Sequence, residues 1–557
     1  MSLKKGGKDM SKIKIFSLGG LNENGKNMYV VEVDKDIFVF DAGLKYADDK
    51  LLGIDYIIPD YSYIKKNKKR VKGIFITHAH DEHMGALSNI ISDIPEIKVY
   101  GTKFTVETIN KTLEEDEIDN KNVIEVSPHK KIVFDKNSIF PVSLTHSVPE
   151  NVGYVLNTED GAIVYTGNFV FDSTMRGYYK TDIGKLAYIG KQGVLCLMAE
   201  SLYAERKGYT SPNHRISELI NEVLIKNENR IIFNVFATNV YRMQELLNEI
   251  MKTQRRVVVM GKRLQKMINY VIEKGYVTFD KRRIGDLSNI NDRDVVILTS
   301  SEKERPFLNM EKIVNGYDKF IKIKTTDAVV FLEPISDGME KMVVRISDRI
   351  AKMGAEVISL PVNKYLTHHA SSEDLMLMLD LINPKYYIPV IGEYRYQVAN
   401  AKIATQIGMP KENILLKENG NIIELEKGVL KESFEKINLE EIMIDGNSVG
   451  DIGELVLKDR EMLSDNGIVV VCATIDKQTK QILAGPEVLT RGFVYVKDSA
   501  ELIKEIQNIS LEKINENISN NYIEFNKIKT SIREAVGKFL YYETECKPMI
   551  ITVIQEV

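Results

Sequence analysis

The sequence predicts a layered α/β protein, and three observations carry that reading. First, short apolar stretches repeatedly end in polar or glycine-polar residues: 74–76 runs into Thr77 and His78, 139–144 into Thr145 and His146, 162–165 into Gly167 and Asn168, and 193–199 into Glu200. Strands that carry polar groups at their C-terminal ends and are joined by helices place a site along one sheet edge. Second, residues 211–361 alternate helical segments with strands at 230–236, 256–260, 294–299 and 328–332, the pattern of a second α/β domain. Third, the chain beyond about residue 437 passes through Ile444-Asp445-Gly446-Asn447 into a small α/β unit. That unit has strands at 467–474 and 481–483, helical stretches at 500–518 and 522–541, and a final strand at 549–555. A chain of 557 residues is too long for one core and is expected to form about three or four units.

The N-terminal elements follow from apolar periodicity. Residues 12–20 and 27–33 read as a hairpin around Gly19-Gly20. Residues 36–40 are an apolar strand running into Asp41-Ala42-Gly43. An acidic residue at such a position either orients a site from beneath or forms a turn. From Val71 a central strand leads to Thr77-His78-Ala79-His80-Asp81-Glu82-His83, and residues 84–94 read as its helix. Side chains two apart on a strand share a face, so His78 and His80 are expected to point the same way, with His83 on the first helical turn.

Three of the chain's 8 histidines fall within the six residues 78–83. Several neutral imidazole nitrogens converging on one point are what a zinc or manganese site needs. His129 and His214 lie in polar, proline-containing contexts and are expected to be solvated loop residues. The basic runs at 65–70 and 281–283 fit exposed turns as well as RNA phosphate contacts.

Composition bounds the function classes. Hydrophobic content of 44% with 28% charged residues is ordinary for a soluble globular protein, and no apolar run is long enough to span a bilayer. The basic N-terminal residues are not followed by an apolar stretch, so no signal peptide and a cytoplasmic location are expected. Three widely spaced cysteines, Cys196, Cys472 and Cys546, argue against a disulfide framework and against a thiolate metal site. A net charge of -4 gives no global attraction for nucleic acid, so RNA binding would need a local lining.

The order Asp41, His78-x-His80-x-Glu82-His83, His146, Asn168 resembles the metallo-β-lactamase-fold nucleases, and in particular the β-CASP branch represented by bacterial ribonuclease J. Further matches extend over nearly the whole chain: Leu18-Gly19-Gly20 with Gly25-Lys26-Asn27, Ala204-Glu205-Arg206 with Gly208-Tyr209-Thr210, Ile388-Pro389-Val390 with Gly392-Glu393-Tyr394-Arg395, and Gly485-Pro486-Glu487 with residues 491–496. The resemblance implies a metallo-β-lactamase αββα sandwich with an inserted β-CASP α/β domain and a small C-terminal α/β domain. The expected division is 1–210 and 362–436 for the sandwich, 211–361 for the insertion, 437–455 for a linker and 456–557 for an oligomerisation domain.

The resemblance also assigns roles. His78, His80 and His146 are expected to hold a first metal, with Glu82, His83 and Asn168 at the second and bridging positions. Asp41 would lie behind the ligands. Glu82, Glu200 and His369 are the catalytic candidates. RNA contacts are expected from Ala237-Thr238-Asn239 and from Tyr365-Leu366-Thr367-His368-His369.

Departures from the family pattern matter as much. Active members have His-x-His-x-Asp-His, and Glu82 stands at the Asp position. The bridging aspartate corresponds to Asn168, a neutral and weaker ligand. A late histidine corresponds to Ile391, which cannot bind metal. The phosphate-gripping His-x-Ser-Gly-His keeps only His369, with Tyr365 and His368 adding bulk where a backbone must approach a phosphate. A Gly-Ser-Gln-Gly-Glu-Pro stretch corresponds to residues 300–305, without its glycines.

Three imidazoles suffice for one tetrahedral zinc or manganese ion, whereas the second position is depleted, so one ion is expected rather than two. The chain thus reads as a metal-dependent 5′–3′ exoribonuclease or endoribonuclease with weak activity of its own. The alternative is a structural partner assembling, as homodimer or hetero-oligomer, with an active ribonuclease J paralogue; the pattern is most like the degenerate second paralogue that several firmicutes carry.

Overall fold

A computed structural model describes residues 11–47, 51–300, 307–333, 340–361, 364–446, 448–449, 454–493, 500–519 and 522–557. Residues 301–305, Asn447 and residues 494–496, all named above, lie outside the described residues. The chain divides into two compact units, one of Met1–Tyr46 with Tyr56–Ile442, the other of Ala47–Asp55 with Met443–Val557.

In the larger unit, strands of near-continuous apolar residues build two facing sheets, because a strand buried on both faces has no polar side to offer. The first sheet has eight strands in the order Val429–Lys431, Ile423–Glu426, Lys12–Gly19, Met28–Val33, Asp36–Phe40, Val71–Phe75, Val99–Gly101, Val123–Glu125. It is antiparallel up to Asp36–Phe40 and parallel beyond. The second has six: Pro384–Pro389, Val194–Ala199, Gly161–Tyr165, Val152–Thr158, Asn137–Ser143, Ile132–Phe134. Phe38, Phe40 and Phe75 of the first sheet interlock with Tyr154 and Tyr165 of the second in one buried core. Helices Ile183–Gln192, Ser372–Ile382 and Tyr394–Gln406 cover the far face of the second sheet. This is the expected αββα sandwich.

Between the last two strands of that second sheet in sequence lies a third sheet, entirely parallel, in the order Ile284–Gly285, Val257–Met260, Val296–Thr299, Ile231–Asn234, Ala328–Phe331, Glu356–Ser359. Its outer strands, Ile284–Gly285 and Glu356–Ser359, were not legible in the sequence, being short and only partly buried. Arg230, 1% exposed, enters this domain's base and is held by Asp327, with further hydrogen bonds to the carbonyls of Ile290 and Lys322.

The smaller unit packs helices Ala500–Glu516 and Phe525–Thr544 on a three-stranded sheet, ordered Ile482–Arg491, Ile468–Ile475, Met549–Glu556. The strand foreseen at 481–483 therefore runs on to Arg491. It carries Pro486 at the sheet edge, where a missing N–H costs no ladder bond. Helix Glu454–Asn466 was not foreseen, and the helix expected at 84–94 is two pieces, Asp81–Met84 and Leu87–Asp93.

A buried ion pair stripped of one partner leaves an uncompensated charge. Arg230→Met is therefore expected to destabilise the larger unit by about 3–5 kcal/mol in urea unfolding. A loss below about 1 kcal/mol would mean that water reaches Asp327.

Candidate metal centre and cavity

The site is built where strand ends of the sandwich meet those of the third sheet. The strand Val71–Phe75 stops before the motif, so His78 and His80 are presented by a loop rather than by strand alternation. That loop is shaped from below by Asp41. Asp41 is fully buried and sits at φ +60°. Its carboxylate accepts hydrogen bonds from the Thr77 N–H (2.8 Å), the Thr77 hydroxyl (3.0 Å), the Tyr165 hydroxyl (2.7 Å) and His83 Nδ1 (2.7 Å). Two glycines allow the close packing: a Cβ on Gly43 would lie 1.7 Å from the Glu82 carbonyl oxygen, and one on Gly167 would lie 2.9 Å from the Thr77 side chain. Thr77 and Tyr165 were not singled out in the sequence. Thr77 directly precedes the first histidine and Tyr165 ends a strand, and both positions are informative once Asp41 is placed.

Three imidazoles converge. His80 Nδ1 lies 3.1 Å from His78 Nε2 and 3.3 Å from His146 Nε2. Two nitrogens bound at about 2.05 Å in a tetrahedral arrangement would be separated by roughly 3.3 Å, so this spacing suits one ion. The far nitrogens are engaged: His78 Nδ1 lies 2.9 Å from the Thr77 hydroxyl, and His146 Nδ1 donates to the His368 carbonyl at 2.7 Å. Such contacts orient the ring and leave the other nitrogen's lone pair toward the site. Burial holds His78 and His146 well below the ordinary imidazole range and lowers His80 to about 3, with the neighbouring imidazoles adding to the effect. Neutral imidazole is the form that binds metal. The Asn168 amide oxygen is buried with no protein partner, an orphan acceptor on the wall of the same cavity. The residues thus fit a single divalent ion.

The remaining expected ligands do not join that cluster. Among the described residues, the convergent His, Cys, Asp and Glu donors are His78, His80 and His146. His83 Nε2 accepts a hydrogen bond from the Asn168 amide nitrogen at 3.1 Å. Glu82 lines the cavity, its carboxyl raised by burial and by Asp81. Asp81 turns away to accept from the Tyr46 hydroxyl. Ile391 is 1% exposed and lies at φ +55°, a left-handed conformation that suits Gly, Asn, Asp or His and strains a β-branched residue.

The cavity has a volume of about 810 Å³. Its wall includes Thr238, Asn239, Tyr365, Thr367, His368 and His369, but not Ala237 or Leu366. The Asn239 side chain accepts from the Arg242 N–H and caps helix Val240–Met251, and the buried Leu366 carbonyl accepts from the Arg242 guanidinium. Glu200, fully buried, touches no cavity space; it accepts from His369 Nδ1 at 2.9 Å and from the N–H of Phe169 and Ala370. His214 corrects the expectation of a solvated residue. It is fully buried, 3.0 Å from the Asp172 carboxylate, with its ring 4.6 Å from the buried His368 ring. Arg215 clamps the same carboxylate, which a local reading of Pro-Asn-His-Arg could not reveal. His129 is exposed as expected.

Fold and site together define a metallo-β-lactamase-fold protein with an inserted domain, and three family models match accordingly. Residues 21–188 match the metallo-beta-lactamase superfamily, 228–350 the ribonuclease J beta-CASP domain, and 455–557 the ribonuclease J C-terminal domain. The chain is 38% identical over 554 residues to "Ribonuclease J2" of Bacillus subtilis, covering 99% of this chain and 100% of that protein. It is 36% identical over 562 residues to "Ribonuclease J 2" of Staphylococcus aureus (strain MRSA252), covering 100% of both. The chain belongs to the ribonuclease J family. Its fold is also similar to a crystal structure of a protein of unknown function from Enterococcus faecalis, with a TM-score of 0.52 at 17% identity, covering 74% of this chain and 100% of that one.

Two outcomes follow from the Asp41 hub. Asp41→Asn, which puts an amide N–H against donors, is expected to lower affinity for added zinc about 10–100-fold in a chelator competition titration. Unchanged affinity would show that the loop holds its shape without the carboxylate. The depressed imidazoles also set a pH trend: as pH falls below about 6.5 the unfolded chain takes up protons that the folded apoprotein refuses. Apoprotein stability should therefore fall between about pH 6.5 and 3, as thermal melts would register.

Proposed function

We propose that the chain is a ribonuclease J-type subunit of RNA processing and decay whose own hydrolytic step is weak. The observation that carries this reading is the pairing of His83 Nε2 with the Asn168 amide, which occupies the nitrogen expected to face a second ion. A second observation agrees with it: Ile391 brings a hydrocarbon where active relatives carry an imidazole, in a backbone conformation better suited to the latter.

In this reading His78, His80 and His146 hold one zinc or manganese ion, and Asn168 has its free amide oxygen to offer. When bound, the ion supplies Lewis acidity toward water and a phosphoryl oxygen. Asp41 fixes the ring of His83 and, through Thr77, that of His78. His369, held through Nδ1 by Glu200, has its Nε2 left as an acceptor for the proton of a water or hydroxyl. Without a charged bridge and a second ion, the clamp on attacking and leaving oxygens is incomplete, which supports slow exonucleolytic or endonucleolytic turnover. Glu82 stays at the edge of this chemistry.

Assembly with a second chain is the further part of the proposal, with residues 456–557 as the oligomerisation domain, 437–455 as its linker, and 1–210, 211–361 and 362–436 as sandwich, insertion and sandwich. The outer face of the smaller unit's sheet supports it: Leu489, Val470 and Ile551 lie side by side across three strands, and Leu489, Ile551 and Val553 are 50%, 41% and 46% exposed. Such a row fits a partner surface from a second copy or an intact paralogue. No helix among the described residues is long and apolar enough to cross a membrane, and a cytoplasmic location is proposed.

Elemental analysis of purified protein is expected to give about one ion per chain, and Asn168→Asp with Ile391→His to raise both the metal content and the cleavage of 5′-monophosphorylated RNA. Two ions in the unaltered protein with brisk turnover would overturn the weak-subunit reading. Deleting residues 448–557 should abolish co-purification with an intact paralogue; full stoichiometry in the truncated protein would remove the assembly role from this domain.

A further inference from the structure

We propose that the cavity rim carries a base-stacking platform for single-stranded RNA, formed by Tyr203 with Arg206 and by Tyr396 with Arg395; this rests on the reading of the chain as an RNA-handling subunit. The guanidinium of Arg206 lies 4.6 Å from the Tyr203 ring centroid, and that of Arg395 lies 4.5 Å from the Tyr396 ring centroid. Tyr203, Arg206 and Tyr396 line the same cavity as the three-histidine cluster.

The first pair is held in place before any ligand arrives. The Arg206 N–H donates to the Tyr203 carbonyl across a tight turn, and the Arg206 carbonyl accepts from the Ser372 N–H. The Tyr203 hydroxyl lies 2.6 Å from the Thr367 hydroxyl, and its ring meets His369 edge-on at 5.4 Å. Tyr203 and Arg206 are therefore fixed to the loop expected to approach a phosphate. The second pair opens the helix Tyr394–Gln406, with Arg395 exposed and donating to the Tyr396 hydroxyl at 2.6 Å. Flat guanidinium and aromatic faces at a cavity mouth are surfaces on which unstacked bases lie, whatever their sequence.

Charge favours this mode over phosphate capture. The wall contains Glu82, Glu205, Glu333, Glu340 and Glu393, and Arg206 is the one Lys or Arg among its described residues. An acidic wall releases few counterions on binding RNA, so the bases must supply the grip that the phosphates cannot.

The test uses the full chain in excess chelator, which stops cleavage, with a 3′-fluorescein, 5′-monophosphorylated single-stranded RNA and the same RNA made abasic at its first four nucleotides. Fluorescence anisotropy should show the abasic RNA binding about tenfold more weakly to the unaltered protein. The Arg206→Ala/Tyr396→Ala double variant should bind intact RNA about tenfold more weakly and lose the discrimination. Tyr203→Phe, which keeps the ring, should retain it. Equal binding of the two RNAs by the unaltered protein overturns the platform while leaving an RNA-handling subunit; no binding of either overturns both. If the double variant does not fold, the comparison of the two RNAs on the unaltered protein decides alone.

Discussion

The arrangement of the site depends on one buried carboxylate. Asp41 is fully buried and takes four donors from three residues, Thr77, His83 and Tyr165. In a low-dielectric interior a carboxylate so placed is stabilised only if its acceptors are all used, so the donors are constrained as strongly as the acid. The constraint fixes Thr77, and with it the direction in which the chain leaves the strand Val71–Phe75. It also fixes His83, and through Tyr165 it ties the loop to the opposite sheet. Of the three clustered histidines, His78 is set by this geometry through Thr77.

In the proposed reading the first ion's ligands are kept and the second's are not, and the hydrogen bonds around them agree with it. His78 and His146 are oriented by Thr77 and by a main-chain carbonyl, neither of which depends on the second ion. His83 is equally well oriented, yet its free nitrogen meets an amide N–H. An aspartate at position 168 would repel a neutral imidazole lone pair unless a cation lay between them; an asparagine satisfies it without one. In that reading asparagine at position 168 satisfies the imidazole by a hydrogen bond with no ion between them. Ile391 tells the same story in the backbone: its left-handed conformation costs about 1–3 kcal/mol and is kept by surroundings that hold the peptide rigidly, its N–H on the Gly20 carbonyl and its carbonyl on the Ser201 N–H.

Much of this was legible in the chain. The sandwich strands announced themselves by apolar runs ending in polar residues, and the histidine cluster by its density. What was not legible came from distant partners. His214 reads as a loop residue because Asp172, which takes it inside, is 42 positions away, and the left-handed turn at Asp41 that ends the strand Asp36–Phe40 leaves no mark in local periodicity. The helix Glu454–Asn466 has its apolar residues scattered among charges, so no clear stripe marks it. The strand Ile482–Arg491 is interrupted by Gly485-Pro486, which breaks most strand patterns but is tolerated at an irregular edge.

The cavity sets these losses in a different light. A nuclease wall that relied on phosphate contacts would be expected to carry a surplus of Lys and Arg; this one carries glutamates, and its ordered features are hydrogen-bonded rings. His369 is tied to Glu200 and His146 to the His368 carbonyl, so this part of the wall is held by hydrogen bonds. In the proposed reading position matters more than rate: a cavity of about 810 Å³, one ion's worth of ligands and an apolar outer sheet face suit a chain that holds and presents, with its hydrolysis secondary.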